Sequence, residues 1–147
     1  MGFDSIEPFM MNPEKGVFIL ALTSNAGSKD VQRLRVGSKL LYEKVVRLAK
    51  KWNAKQNIGL VVGATHPKEL QRIRKIVPDM PILVPGVGKQ GGGLRSSLHY
   101  GCNKQGQLAV INVSRSIIYA SSEKDFADAA RREANKLVKE MRMYMSQ

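Results

Sequence analysis

One cysteine, Cys102, is all the thiol chemistry the chain has, so no disulfide closes within it, and the count fits a reducing compartment such as the cytosol. A lone thiol with two histidines, His66 and His99, whose spacing suggests no partner, gives no metal-ligand pattern, and no metal is expected. No apolar run approaches the roughly 20 residues of a membrane span. The first residues, Met-Gly-Phe-Asp-Ser-Ile-Glu, lack the basic and apolar regions of a signal peptide. Aromatics make up 6% of the chain, too few for a base-stacking platform. Acids are also scarce: 12 Asp and Glu against 24 Lys and Arg leave a formal net charge of +12. Such an excess suits anionic ligands or nucleic acid. The basic residues are nevertheless spread along the sequence and mixed with acids. The densest group, Lys44, Arg47, Lys50 and Lys51, reads largely as the solvated face of a helix, and with no binding motif beside the charge a nucleic-acid partner is not expected.

Against these absences stands one distinctive stretch, residues 82–93, Ile-Leu-Val-Pro-Gly-Val-Gly-Lys-Gln-Gly-Gly-Gly. Its apolar beginning predicts a strand buried on both faces, with Pro85 at its end because proline cannot donate to a ladder. Glycines at 86, 88, 91, 92 and 93 permit positive φ and close approach of a ligand to the backbone. Free N–H groups, little bulk, a cation at Lys89 and an amide at Gln90 suit a phosphate. The plainer reading is a glycine loop that only turns the chain. The loop lacks the Gly-Lys-Ser/Thr ending of a P-loop and is not a clean dinucleotide fingerprint.

At 147 residues the chain is long enough for one domain with its own core. Residues 1–16 read as a loop or short helical turn, not as a natural domain start. Val17–Leu22 predicts a first strand, followed by the polar loop Thr23-Ser24-Asn25 and a helix capped by Ser28 that runs to about Trp52, with a break at Gly37. Leu41, Val45, Leu48 and Trp52 form the expected apolar stripe. The second strand and its exit span Asn57 to Thr65, and Pro67 opens a short helix with Leu70, Ile73 and Val77 inward. After the strand ending at Pro85, Leu94–Tyr100 predicts a helix stopped by Gly101, and Leu108–Val113 a fourth strand ending in Ser114-Arg115. A final helix starts near Ser122, in a capping box with Asp125, and turns Phe126, Ala130, Ala134, Leu137, Met141 and Tyr144 inward. Four strand–loop–helix units argue an α/β fold with a parallel sheet and ligands at the C-terminal strand ends. Those ends carry Thr23 to Asn25, Ala64-Thr65, the glycine loop and Ser114-Arg115. A glycine loop and an arginine closing the last two strands match strands seven and eight of a barrel, where phosphates commonly sit.

Several segments together resemble orotidine 5′-phosphate decarboxylase, in its bacterial type 2 branch. They are residues 2–9, Thr23 to Asn25, Gly59 to Thr65, Val84 to Gly88 with Gln90 to Gly92, and Asn112 to Ser121. They occur in the family's order and cover nearly the whole chain. The resemblance implies a (β/α)8 barrel, usually a homodimer, that converts orotidine 5′-phosphate (OMP) to UMP and CO2 without a cofactor. It implies that residues 1–147 are the second half, from the loop after strand four to helix eight. Gln90, Gly91, Gly92 and Arg115 would then bind the substrate phosphate, while Ser24 and Pro85 contact the pyrimidine. The plainer reading of Arg115 is a surface arginine paired with a helix carboxylate. The family's alternating lysine and aspartate segment is absent, so no catalytic residue is assigned in this chain and the isolated half is expected to be inactive.

Four barrel strands leave two open edges and an exposed apolar face. The expectation is a homo-oligomer or pairing with the missing first half, with OMP or UMP as ligand, a cytoplasmic setting and no membrane. The alternatives from other classes are a non-catalytic phosphate- or nucleotide-binding module and a basic nucleic-acid-associated protein.

Overall fold

A computed structural model describes residues 2–88 and 93–146. In chain order the elements are α1 (Phe3–Met10), β1 (Val17–Leu22), α2 (Ser28–Val31), β2 (Arg35–Val36), β3 (Lys39–Leu40), α3 (Leu41–Trp52), β4 (Ile58–Val62), α4 (Pro67–Ile76), β5 (Ile82–Pro85), α5 (Leu94–Gly101), β6 (Ala109–Asn112), α6 (Arg115–Ile118) and α7 (Phe126–Met145). Four strands form one parallel sheet in the order β1-β4-β5-β6, so sequence order is also spatial order. Lys89, Gln90, Gly91 and Gly92 lie outside the described residues.

The register explains which face each side chain takes. Leu60 and Ile82 share a row, and both are fully buried under the helices. One residue on, Leu20, Val61, Leu83 and Val110 form a row across all four strands on the opposite face. Leu20 is 55% and Val110 48% exposed there, as is Phe18 at 44%. The alternation is the period of two of a pleated strand. The covered face holds the core: Tyr42, Val46 and Ala49 of α3, Leu70 and Ile73 of α4 and Leu98 of α5 join Leu60, Val62, Ile82 and Val84. Each such aliphatic side chain contributes about 1.5–3 kcal/mol through its removal from water. Among the described residues no element covers the opposite face. Phe18 lies across from Gly59, and a Cβ at Gly59 would collide with its ring, so the glycine makes the seat for the aromatic.

Several sequence expectations change. The N-terminal segment forms a helix of eight residues, α1, whose Phe3 ring stands 5.9 Å from that of Trp52. Asn57 Nδ2 donates to the carbonyls of Met10, Asn12 and Lys15 and fastens this segment to the start of β4. The single helix expected from Ser28 to Trp52 is instead α2, a hairpin and α3. Gly37 takes φ +63° in the two-residue turn of that hairpin, which a primed turn requires. Gly27, not Ser28, precedes α2, and Ser28 is buried as its first residue. The deep face of α3 is Tyr42, Val46 and Ala49, one residue on from the predicted stripe, whose members are half-buried. A stripe shifted by one position is turned by about 100°, and both faces of α3 are apolar enough for sequence alone to choose either.

At the last helix, Ser121 rather than Ser122 bonds Asp125, at 2.6 Å from Oγ to Oδ1, and α7 begins at Phe126. That bond, with Arg132 at 2.9 Å, holds the Asp125 carboxyl below its ordinary range. Phe126 is 61% exposed, whereas Leu137, Met141 and Tyr144 pack on the core as expected.

Candidate functional site

The C-terminal ends of the four strands converge, and backbone chemistry fixes most of what meets there. The Pro85 carbonyl closes β5 and accepts two bonds, from the Ala64 N–H at 2.8 Å and from Ser24 Oγ at 3.2 Å. Ser24 and Pro85, which the resemblance assigns to the pyrimidine, are therefore in direct contact. Thr65 Oγ1 donates to the Ser24 carbonyl at 3.2 Å. Gly63 lies hard against the same serine: a Cβ there would come within 2.7 Å of Ser24 N and 2.8 Å of its Cα. Backbone cannot retreat as a flexible side-chain tip can. Gly63→Ala is thus expected to cost about 1–3 kcal/mol of stability through overpacking and to shift the Thr23-Ser24 segment. Thermal unfolding checks this; an unchanged midpoint would show that the strand ends are loosely held.

A second layer braces Thr23. Gln32 accepts from the Thr23 N–H at 2.8 Å and donates through Nε2 to Thr23 Oγ1 at 3.1 Å. His66 Nε2 lies 2.9 Å from the Thr23 carbonyl, and Arg33 Nη2 lies 3.1 Å from His66 Nδ1. The carbonyl can only accept and the guanidinium can only donate, so the imidazole carries its proton on Nε2. Arg33 is held in turn by Glu69 at 2.7 Å. Spacing in the sequence suggests no partner for His66. It does precede Pro67 at the start of α4, but its partners come from a loop more than thirty residues away, beyond what spacing could signal.

Beside this cluster a cleft of about 200 Å3 opens between the ends of β5 and β6. Pro85, Gly86, Val87, Asn112, Ser114, Arg115 and Ser116 line it. Gly86 and Gly88 take φ of +89° and +88°, so glycine is required there by conformation. Arg115 is exposed, and no carboxylate lies within ion-pair distance of it among the described residues. The plainer expectation of a surface ion pair therefore does not hold. A guanidinium without a carboxylate can donate two parallel bonds to an oxyanion. The expected partners Gln90, Gly91 and Gly92 follow Gly88 in the sequence, outside the described residues.

The described residues contain no group of three or more His, Cys, Asp or Glu side chains suited to a metal. None of the described helices is long and apolar enough to cross a membrane. Asp4, Asp30, Asp79, Asp125 and Asp128 lie on or beside the helices, not on the four strands of the sheet.

Comparison with known proteins shows the family and the fold. A family model described as Orotidine 5′-phosphate decarboxylase / HUMPS family matches residues 1–131. The orotidine 5′-phosphate decarboxylase of Ralstonia nicotianae is 50% identical over 132 residues, which are 89% of this chain and 49% of that protein. The enzyme of the same name from Dehalococcoides mccartyi is 48% identical over 141 residues, 93% of this chain and 52% of that one. Among solved structures, the OMP decarboxylase of Leishmania donovani superposes with a TM-score of 0.85 at 42% identity, covering 100% of this chain and 55% of that one. The four β/α units thus correspond to part of a (β/α)8 barrel, and the chain spans about half the length of the curated relatives it matches. On these grounds the chain belongs to the orotidine 5′-phosphate decarboxylase / HUMPS family.

Proposed function

We propose that this chain is the C-terminal, nucleotide-holding half of an orotidine 5′-phosphate decarboxylase. It would bind OMP and its product UMP and lack the groups that perform the chemistry. The observation that carries the reading is Arg115, free of any carboxylate among the described residues, in the cleft formed by the Gly86 turn and the end of β6. In this reading Arg115 grips the substrate phosphate with Gln90, Gly91 and Gly92, while Ser24 and Pro85 face the pyrimidine. The bond between C6 and the carboxyl carbon breaks, CO2 leaves with no cofactor, and a lysine outside this chain protonates C6. The missing first half supplies that lysine and its neighbouring aspartates. It also covers the row of Leu20, Val61, Leu83 and Val110 and pairs with the edges of β1 and β6. The completed barrel acts as a homodimer in pyrimidine biosynthesis. A cytoplasmic setting accords with the single thiol of Cys102.

Calorimetric titration with UMP, with uridine as the control, tests the reading. UMP is expected to bind and uridine to bind far more weakly, because the phosphate supplies the charge-assisted bonds. If the chain, mixed with a separately produced first half, neither bound UMP nor formed it from OMP, the reading would fail.

A further inference from the structure

In the sequence, the basic residues of α3 and α4 look diluted by Glu43 and Glu69. In space they are not. Glu43 is 9% exposed and turned inward, with its carboxylate on Arg72 at 3.1 Å and under the Leu40 N–H at 3.4 Å. Glu69 faces Arg33. With both acids drawn inward, the exposed positions of α3 are Lys44, Arg47, Lys50 and Lys51, and those of α4 are Lys68, Gln71, Arg72 and Lys75. Seven of the eight are cations and none is an acid. The two helices are joined side by side by the Arg72–Glu43 pair and by Lys50 Nζ, which donates to the Ile76 carbonyl at 2.8 Å. The acids of the flanking segments, Asp4, Glu7 and Asp79, form no ion pair with any of the seven among the described residues. Exposed α7 differs: Asp128 and Glu133 are interleaved with its cations, and two of its arginines are paired with aspartates.

We propose that the outer face of α3 and α4 is a docking surface for the phosphate backbone of a double-stranded nucleic acid, bound without sequence preference. Charge complementarity selects a polyanion, since a surface of one sign gains most from a partner that carries regularly spaced charge and releases counterions on contact. Steps of three and four residues along each helix, 44 to 47 and 68 to 72 to 75, set the cations in two rows at about 5–6 Å intervals. The exposed positions hold no aromatic residue on which an unpaired base could stack and no apolar residue to enter a lipid layer, which favours a duplex over a single strand or a membrane. This surface includes none of the residues that line the cleft between β5 and β6, so the inference does not depend on the nucleotide reading.

The test is fluorescence anisotropy of the whole chain with a labelled 20-base-pair DNA duplex across a salt series. Two triple variants of equal charge change are compared: Lys44→Glu, Arg47→Glu and Lys68→Glu on α3 and α4, and Lys136→Glu, Lys139→Glu and Arg142→Glu on α7. All six residues are exposed. The first variant is expected to bind at least tenfold more weakly and to lower the slope of log K against log salt by roughly 3. The second should stay within about threefold of the parent; circular dichroism of both checks that they remain folded. Equal losses in the two would reduce the effect to net charge and overturn the proposal. So would absence of duplex binding by the parent, tighter binding of a single strand of the same length, or binding only to phosphatidylserine vesicles.

Discussion

Arg115→Ala is expected to lower kcat/KM for OMP by about a hundred- to a thousandfold once the chain is completed by a first half, the range seen when one preorganised electrostatic contact is removed. The phosphate does not react, yet binding energy gained there is available for orientation and closure around the reacting carbon. The loss should therefore reach kcat as well as KM. Arg115→Lys keeps the charge but not the two-pronged geometry, and should recover only part of it. The guanidinium makes no ion pair among the described residues, so the alanine variant should unfold at the parent's temperature. Unchanged kcat and KM in Arg115→Ala would remove Arg115 from the phosphate site and leave the cleft between β5 and β6 without its central donor.

The second large effect concerns stability. Arg74 is 8% exposed and forms no ion pair among the described residues; its guanidinium is satisfied by main-chain carbonyls. Nε and Nη2 donate to Gly101, Nη1 to Val77, Pro78 and Met80, and Nη2 also to Leu108. One side chain thus ties the end of α4, the turn into β5, the end of α5 and the turn into β6, all at the N-terminal side of the sheet. Burial pushes the guanidinium below the usual arginine range, partly offset by the nearby Cys102 and Asp79. Burial likewise raises the Cys102 thiol, against the opposing pull of Arg74.

Replacing Arg74 by methionine keeps the apolar stem and strands the carbonyls. A loss of about 3–4 kcal/mol is expected, since bonds to a charged donor vanish and buried acceptors go unpaired. For a chain of this size that corresponds to a fall of roughly 10 °C in Tm. Arg74→Lys should rescue little, because one ammonium cannot reach acceptors on four segments. A change in Tm of only a degree or two in Arg74→Met would show that water replaces the arginine without cost.

Most of the framework was legible in the sequence because it is local. Val17–Leu22, Ile58–Val62 and Ile82–Pro85 are apolar runs bounded by turn residues, Pro67 opens α4 through its ring constraint, and α5 ends at the permissive Gly101. The fourth strand begins one residue late because Leu108 takes φ +67°, a conformation nothing in its side chain announces. The hairpin at Gly37 was hidden for a similar reason: strands of two residues carry no periodic pattern. Ser24, Pro85 and Arg115 were placed by resemblance, and the fold brings Ser24 onto Pro85 and sets Arg115 in the cleft that Pro85 lines. What escaped were the residues whose partners are distant in the chain. His66, Gln32 and Arg74 act on backbone, and Arg33 on the side chains of His66 and Glu69, that the closed fold brings to them, and each reads in sequence as an ordinary surface polar residue.

The neighbour-to-neighbour order of the sheet has a consequence for how the chain leaves the ribosome. Each new strand pairs with the one just made, so no strand waits for a distant partner and nothing is threaded between strands already in place. The sheet can grow in one direction during synthesis, with β4 docking on β1, then β5, then β6, each brought back by its own helix. Within these four strands the growing edge is always the youngest one. Until the next strand docks, that young edge is open to any other strand in the cell, so the intervals between successive dockings are the periods in which a chaperone matters most.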